Sequence, residues 1–286
     1  MALDDPRLRT IATELVAVPG VIGVLLGGSR ARGEHRADSD VDLGLYYRGS
    51  RARVDIASLR DLAGRLSGRE IDVTEHGGWG PWVDGGGWLD LDGVAVDWIY
   101  RDLDRVEDCW AGAVAGRHAF HVQAGHPLGV PELAYPGEVA LGRVLADPTG
   151  VLTELRERYR RYPPALTRAV VAGLWEAGFI LGGARKGASR GDATYVAGCL
   201  FRALGLCAHA LHAHAGRWLV NEKGAIEAAG RLPGAPPDFA TRAHHLFGEV
   251  GPRGLAAAID RAEVLLAQVR DAVGPAATGD ADTVSR

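Results

Sequence analysis

Two aspartates separated by a single residue, Asp40-Val41-Asp42, open the apolar stretch that runs to Tyr47. Along a β-strand, residues two apart point to the same face. Asp40 and Asp42 therefore project side by side, with Gly44 and Tyr46 on their face, and Gly44 leaves room beside the acids. Val41, Leu43 and Leu45 line the opposite face, which must be buried. Adjacent carboxylates repel each other unless a cation sits between them, and hard oxygen ligands suit Mg²⁺, which keeps waters and substrate phosphates in its shell. A third acid on a neighbouring strand would complete a clamp for two ions about 3.5–4 Å apart. Asp97 answers that description. It stands in Val94-Ala95-Val96-Asp97-Trp98-Ile99-Tyr100, where an acid is costly unless paired or metal-bound, and it shares a face with Ala95 and Ile99. Ten residues separate Asp40 from Gly28-Ser29. Backbone N–H groups at such a turn, with the Ser29 hydroxyl, can cradle phosphate oxygens. Gly28 lets the backbone approach closely, and Arg30 and Arg32 add positive charge.

These residues need strands beneath them and turns beside them. Leu8, Ile11, Ala12, Leu15 and Val16 recur at helical spacing over residues 6–18, and Pro19-Gly20 stops that helix. Val21 to Leu26 reads as a buried strand and Gly27 to Asp38 as a tight turn leading into a short helical turn. Asp40 to Tyr47 is the second strand, Arg51 to Leu66 an amphipathic helix, and Glu70 to Glu75 a further strand. Residues 76–87 form a Gly/Trp/Pro loop. Trp88 to Leu91 and Val94 to Tyr100 form a hairpin through Asp92-Gly93, a strong turn signal. Leu103 to Val114 is helical, and residues 116–135 are irregular.

From Pro136 onward the pattern is helical, over about 137–146, 151–161, 165–186, 192–215, 222–230, 238–248 and 252–273, with Pro and Gly breakers between. The expected class is α+β: a small mixed β-sheet domain over 1–115, a connector over 116–135, an all-α bundle over 136–274, and a disordered tail over 275–286. Three polar features interrupt the bundle. Glu176 lies in an apolar helix and could serve as a base or anchor a cationic substrate. Lys186 and Arg190 sit in a basic loop between two long helices, where Asp192 can cap the second. Lys223 follows Asn221 at another helix start. Lys186, Arg190 and Lys223 are candidate phosphate ligands. Trp79, Trp82 and Trp88 flank the Gly-rich loop near Asp97, and Trp82 is the candidate for stacking on the acceptor. His209 and His212 share a helix face, without Cys or Glu at metal-ligand offsets.

The 286 residues carry a formal net charge of −4, with 47% hydrophobic and 24% charged residues. That balance suits a globular protein with a substantial core. It weighs against a broad nucleic-acid surface, which calls for a basic face, and is compatible with a small cationic acceptor. Cys109, Cys199 and Cys207 show no metal-ligand pairing and read as reduced thiols of a cytoplasmic protein. No uninterrupted apolar run reaches membrane-spanning length, and Met1 to Asp5 does not open a signal peptide.

The segment Leu25-Leu26-Gly27-Gly28-Ser29-Arg30-Ala31-Arg32-Gly33, continued by Asp38-Ser39-Asp40-Val41-Asp42-Leu43, resembles the signature of the DNA polymerase β-like nucleotidyltransferase superfamily. The resemblance covers roughly residues 5–115. It implies a small mixed sheet backed by helices, with Ser29 on the triphosphate and Asp40, Asp42 and Asp97 as metal ligands and catalytic acids. The layout, with a helical domain following, is similar to that of the antibiotic adenylyltransferases that modify aminoglycosides or lincosamides. The activity so implied is Mg²⁺-dependent transfer of a nucleoside monophosphate, AMP from ATP, to a hydroxyl of a small acceptor. The alternatives are an RNA-, tRNA- or protein-modifying nucleotidyltransferase of toxin type, and a non-catalytic nucleotide-binding module.

Overall fold

A computed structural model describes residues 3–33, 39–251 and 254–274. Residues 34–38 of the Gly27 to Asp38 turn, the first two residues of the helix expected over 252–273 and the tail expected over 275–286 lie outside the described residues. The class is the expected one, a small mixed sheet followed by a helical region.

The chain divides into two compact units. The first contains α1 (Asp5–Val16), β1 (Gly23–Leu26), α2 (Gly28–Arg32), β2 (Val41–Tyr47), α3 (Ile56–Ser67), β3 (Gly86–Leu91), β4 (Val94–Asp102) and most of α4 (Leu103–Val114). To these it adds β5 (Phe120–Gln123), β6 (His126–Pro131), α5 (Ala134–Leu141), β7 (Arg143–Ala146) and α6 (Val151–Tyr159). Five strands form one sheet in the order β3-β4-β2-β1-β7. β2 and β4 run parallel, and the other neighbours antiparallel.

One face of the sheet is the core. Val41, Leu43 and Leu45 of β2 and Val96 and Trp98 of β4 are fully buried there with Ile11 and Leu15 of α1 and Leu59 of α3. Each such side chain contributes about 1.5–3 kcal/mol by leaving water. Asp4 caps α1 by accepting from the Arg7 N–H at 3.0 Å. Asp55 caps α3 through the Ser58 N–H at 2.7 Å. That cap sets the start of α3 at Ile56, because residues 48–52 are held in a turn by the Arg48↔Ala52 bridge. The strand expected over 70–75 is reduced to one bridge, Val73↔Gly87. Thr74 then locks onto Gly86 through both backbone and hydroxyl and takes the chain off the sheet.

The division of the chain differs most from the sequence expectation over 116–161. Residues 112–119 go with the second unit and 120–161 with the first. The helix expected over 137–146 ends at Leu141, because Gly142 is extended and β7 pairs with β1 as a sheet edge. A Cβ on Gly142 would lie 1.9 Å from Leu25 Cδ2, so the close approach needs glycine. The β5–β6 hairpin, expected to be irregular, is fastened to the Gly/Trp loop by Gln123. Its buried amide accepts from the Trp82 and Val83 N–H groups at 3.0 and 3.2 Å and donates to the Trp79 carbonyl. Gln123→Ala strands those groups, so we expect a loss of about 2–3 kcal/mol in a urea titration and faster amide exchange at Trp82 and Val83.

The second unit is helical: α7 (Pro164–Ala172), α8 (Trp175–Ala188), α9 (Ala193–His214), α10 (Ala225–Gly230), α11 (Phe239–Gly248) and α12 (Leu255–Val273). The single helix expected over 165–186 is two, because the backbone tightens to three-residue hydrogen bonds at Val171/Leu174 and Gly173/Glu176. Among the described residues, two helical stretches, Pro164–Ala188 and Ala193–His214, are long and apolar enough to cross a membrane by length and composition. The second is largely buried as the central helix of the bundle, capped by Asp192 through the Tyr195 N–H.

Candidate active site

The face of the sheet opposite the α1/α3 core carries the acids. Asp42 on β2 and Asp97 on β4 are direct partners in the parallel register, so their side chains stand beside each other. Both are half-buried. Asp40 lies exposed two residues before Asp42, ahead of the strand. Gly27, at the end of β1, donates its N–H to the Asp42 carbonyl at 2.8 Å. That bond brings α2, with Gly28 and Ser29 in its first turn, against Asp42.

Gly28 has φ +60°, and a Cβ there would lie 1.8 Å from Asp42 Oδ2. The position therefore demands glycine on two counts. Gly28→Ala is expected to displace the Asp42 carboxylate and abolish ligand binding at this turn. It should also cost about 1–3 kcal/mol of stability from the left-handed backbone alone, read as a lowered thermal midpoint.

The space that Gly44 was expected to leave beside the acids is filled by Tyr46. A Cβ on Gly44 would meet the Tyr46 ring at 2.9 Å, and Tyr46 is fully buried. Beyond Tyr46 the face is closed by α5. Arg101 of β4, two strand steps along the face from Asp97, is buried and gives a bidentate ion pair to Glu138, with Nε–Oε2 2.6 Å and Nη2–Oε1 2.8 Å. Burial pushes the Asp42 carboxyl above the ordinary carboxylate range. Negative charge on Glu138 and on Asp40 pushes the same way, against Arg101 and Arg32.

The chemistry of this donor set fits Mg²⁺: carboxylate oxygens only, with the half-buried Asp42 set against the negative charge of Glu138 and Asp40. Asp40, Asp42 and Asp97 are the residues that would hold it. Their arrangement is an open row, and among the described residues no three His, Cys, Asp or Glu side chains converge as a metal cage.

Other expected site residues land elsewhere. Arg30 is a clip rather than a free phosphate ligand, since its guanidinium donates to the Ser39 carbonyl at 2.8 Å and to the Asp40 carbonyl at 3.2 Å. It thereby fixes α2 against the start of β2. Trp82 is no open stacking surface. Its ring lies on His121 at 3.5 Å between centroids, Arg105 sits over it at 4.9 Å, and Tyr135 meets it edge-on. Glu176, Lys186, Arg190 and Lys223 belong to the second unit. Glu176 is ion-paired with Arg202 at 2.9 Å. Lys186 is in the last turn of α8 rather than a loop, because that helix runs on to Ala188; it, Arg190 and Lys223 are exposed. Asn221 accepts from the Lys223 N–H at 2.8 Å in a local turn ahead of α10. His209 is buried within α9, which pushes its pKa down to about 3, and the buried His212 bonds the Ala208 carbonyl one turn back.

Sequence reasoning missed Arg101 and Glu138. The signal for Arg101 was present, a charge on the 95–97–99 face extended by one step. Glu138 carried none, since its partner is 37 residues away.

Residues 7–78 match the family profile described as a nucleotidyltransferase domain, a span that includes Gly28, Ser29, Asp40 and Asp42 and stops short of Asp97. A nucleotidyltransferase-like protein from Exiguobacterium sibiricum is similar in structure, with a TM-score of 0.44 and 15% identity over 95% of this chain and 77% of its own. A comparison with curated protein sequences gave no match. Residues 7–78 are thus similar to a nucleotidyltransferase domain, and the paired aspartates and the Gly-Ser turn beside them are consistent with the DNA polymerase β-like superfamily.

Proposed function

We propose that this protein transfers a nucleoside monophosphate, AMP from ATP, to a hydroxyl of a small-molecule acceptor of aminoglycoside type, in the cytoplasm and with Mg²⁺. The observation that carries the proposal is the side-by-side register of Asp42 and Asp97 with the Gly28-Ser29 turn seated against Asp42. In this reading the first turn of α2 receives the triphosphate, with Ser29 donating to it and Gly28 admitting it close to the backbone. The acceptor oxygen forms its bond to the α-phosphorus as the bond to pyrophosphate breaks, and Asp97 takes the hydroxyl proton. Bound at the acids, Mg²⁺ would supply neutralisation of the triphosphate and of the departing pyrophosphate. Glu176 is the weaker choice of base because Arg202 already holds it.

The test is pyrophosphate release with Mg²⁺ across the four ribonucleoside triphosphates, against aminoglycosides, lincosamides and bulk tRNA. Release that needs one small acceptor, is greatest with ATP and is lost in Asp40→Asn is the expected result. Release driven by tRNA would replace the acceptor class. Tight nucleotide binding with no release for any pair would leave a binding module.

A further inference from the structure

One row across the acid face extends beyond the aspartates. In the antiparallel register Trp88 of β3 is the direct partner of Asp97, as Asp97 is of Asp42. Gly27 just past β1, then Asp42, Asp97 and Trp88 on β2, β4 and β3, thus stand in sequence, about 4.8 Å apart from strand to strand. Trp88 is 65% exposed, unusual for an indole in a sheet. Its ring is nonetheless held. Trp79 stacks on it at 4.5 Å between centroids with 21° between planes. Trp79 in turn sits over Gly86, where a Cβ would meet its ring at 2.9 Å, and its carbonyl is tied to Gln123. An indole braced from behind by a second indole and open in front is a stacking platform with little ordering entropy left to lose on binding.

Among the described residues of β3 and β4, the charges beside it are acidic. Asp90 lies one strand step along β3 on the same face, exposed, and Asp97 lies across. Ala95, the partner of Asp90, is the small residue between them. No Lys or Arg occupies that end of the face on β3 or β4. Resting on the nucleotidyltransferase reading above, we infer that Trp88, braced by Trp79 and flanked by Asp90, is the acceptor subsite, and that it holds a small ring compound carrying a protonated amine. The ring packs on the indole, where cation–π attraction and the two carboxylates favour a positive charge. The hydroxyl to be modified then lies at Asp97, between the indole platform and the triphosphate turn.

The near-ultraviolet circular dichroism of the Trp79–Trp88 pair reports this subsite directly, without turnover. The full chain is titrated with 2-deoxystreptamine, glucosamine, methyl α-D-glucopyranoside and Mg²⁺-ATP in separate series. The expected result is a saturable change with the two amine-bearing rings and none with the neutral sugar. By isothermal titration calorimetry, which does not depend on the indole pair, the apparent Kd should rise about tenfold in Trp88→Ala, be largely restored in Trp88→Phe, and rise about threefold in Asp90→Asn, which keeps the oxygen that caps the Gly93 N–H. The exposed position of Trp88 makes the variants tolerable to the fold. Equal responses to the neutral sugar and the amines would overturn the cationic class. A response to Mg²⁺-ATP alone would assign the platform to the nucleotide base, and no response to any probe would remove the subsite. ATP binding that survives in Trp88→Ala but fails in Gly28→Ala separates this subsite from the nucleotidyltransferase reading itself, which falls only if both proteins and the parent fail to bind nucleotide.

Discussion

Asp42→Asn is expected to lower pyrophosphate release by at least about 10³-fold, a loss of about 4 kcal/mol in transition-state stabilisation, while the protein becomes more heat-stable in the absence of Mg²⁺. The two effects have one origin. Asp42 is half-buried, its pKa is raised first by burial and then by Glu138 and Asp40, and it faces Asp97 across the strand pair. A carboxyl whose pKa is higher folded than unfolded binds more protons in the folded state. Its ionisation therefore costs stability. The cost is absent below the unfolded value of 3.8, grows as pH rises through the interval up to the raised folded value, and is present in full above it. Asparagine keeps the shape and removes the cost. The same substitution removes the anion that would hold Mg²⁺, so a rise in thermal midpoint with Mg²⁺ is expected in the parent protein and should be absent in the variant. A parent protein indifferent to Mg²⁺, or an Asn variant with full turnover, would overturn the assignment. Chelation by EDTA should reproduce the loss of activity but not the gain in stability that Asp42→Asn brings over the metal-free parent.

Glu138→Gln is expected to destabilise the first unit by about 3–5 kcal/mol, the cost of leaving a buried guanidinium without its counter-charge. For a unit of this size that is a fall of about 10 °C in its thermal transition. Arg101 is the most buried of the strand charges, and both of its hydrogen bonds to Glu138 are short and parallel. Tyr135 adds a ring at 5.8 Å from the guanidinium carbon, and the Tyr100 carbonyl a further acceptor. A glutamine can occupy the space but cannot neutralise the cation. Replacing both partners, as in Arg101→Met with Glu138→Leu, removes the desolvation cost of both charges and should restore most of the loss. A double variant no better than Glu138→Gln alone would show that the pair acts by shape and not by charge. Because α5 carries Glu138, this ion pair is also what holds α5 over the Tyr46 end of the acid face.

Much of the site was legible in the order of residues. The alternation of Val41, Leu43 and Leu45 against Asp42, Gly44 and Tyr46 fixes which face of β2 is buried, since a strand has only two faces and the apolar one must leave water. The same rule placed Asp97 on an open face of its own strand. Gly28-Ser29 marked the turn, and caps such as Asp55 and Asp192 marked helix starts, because caps act within three residues of where they stand. These are local consequences of backbone geometry.

What joins distant parts of the chain was not legible. Nothing in Arg143-Val144-Leu145-Ala146 announces a strand: four residues carry too short a period, and β7 exists because β1 offers it an unpaired edge about 120 residues earlier. Trp82 reads in sequence as an open aromatic in a loop. It is enclosed because the β5–β6 hairpin and α4 bring His121 and Arg105 against it. The basic stretch from Arg185 reads as a loop because of its glycines, yet helix packing against α12, with Arg185 paired to Asp260 and Glu263, carries α8 through it. Asp97 beside Asp42, and Trp88 beside Asp97, depend on which residue of one strand faces which residue of the next. The sequence by itself determined the two-residue alternation that exposes the acids. Strand register is a non-local quantity, set by the packing of the whole core face at once, and only the tertiary structure decided what stands next to them.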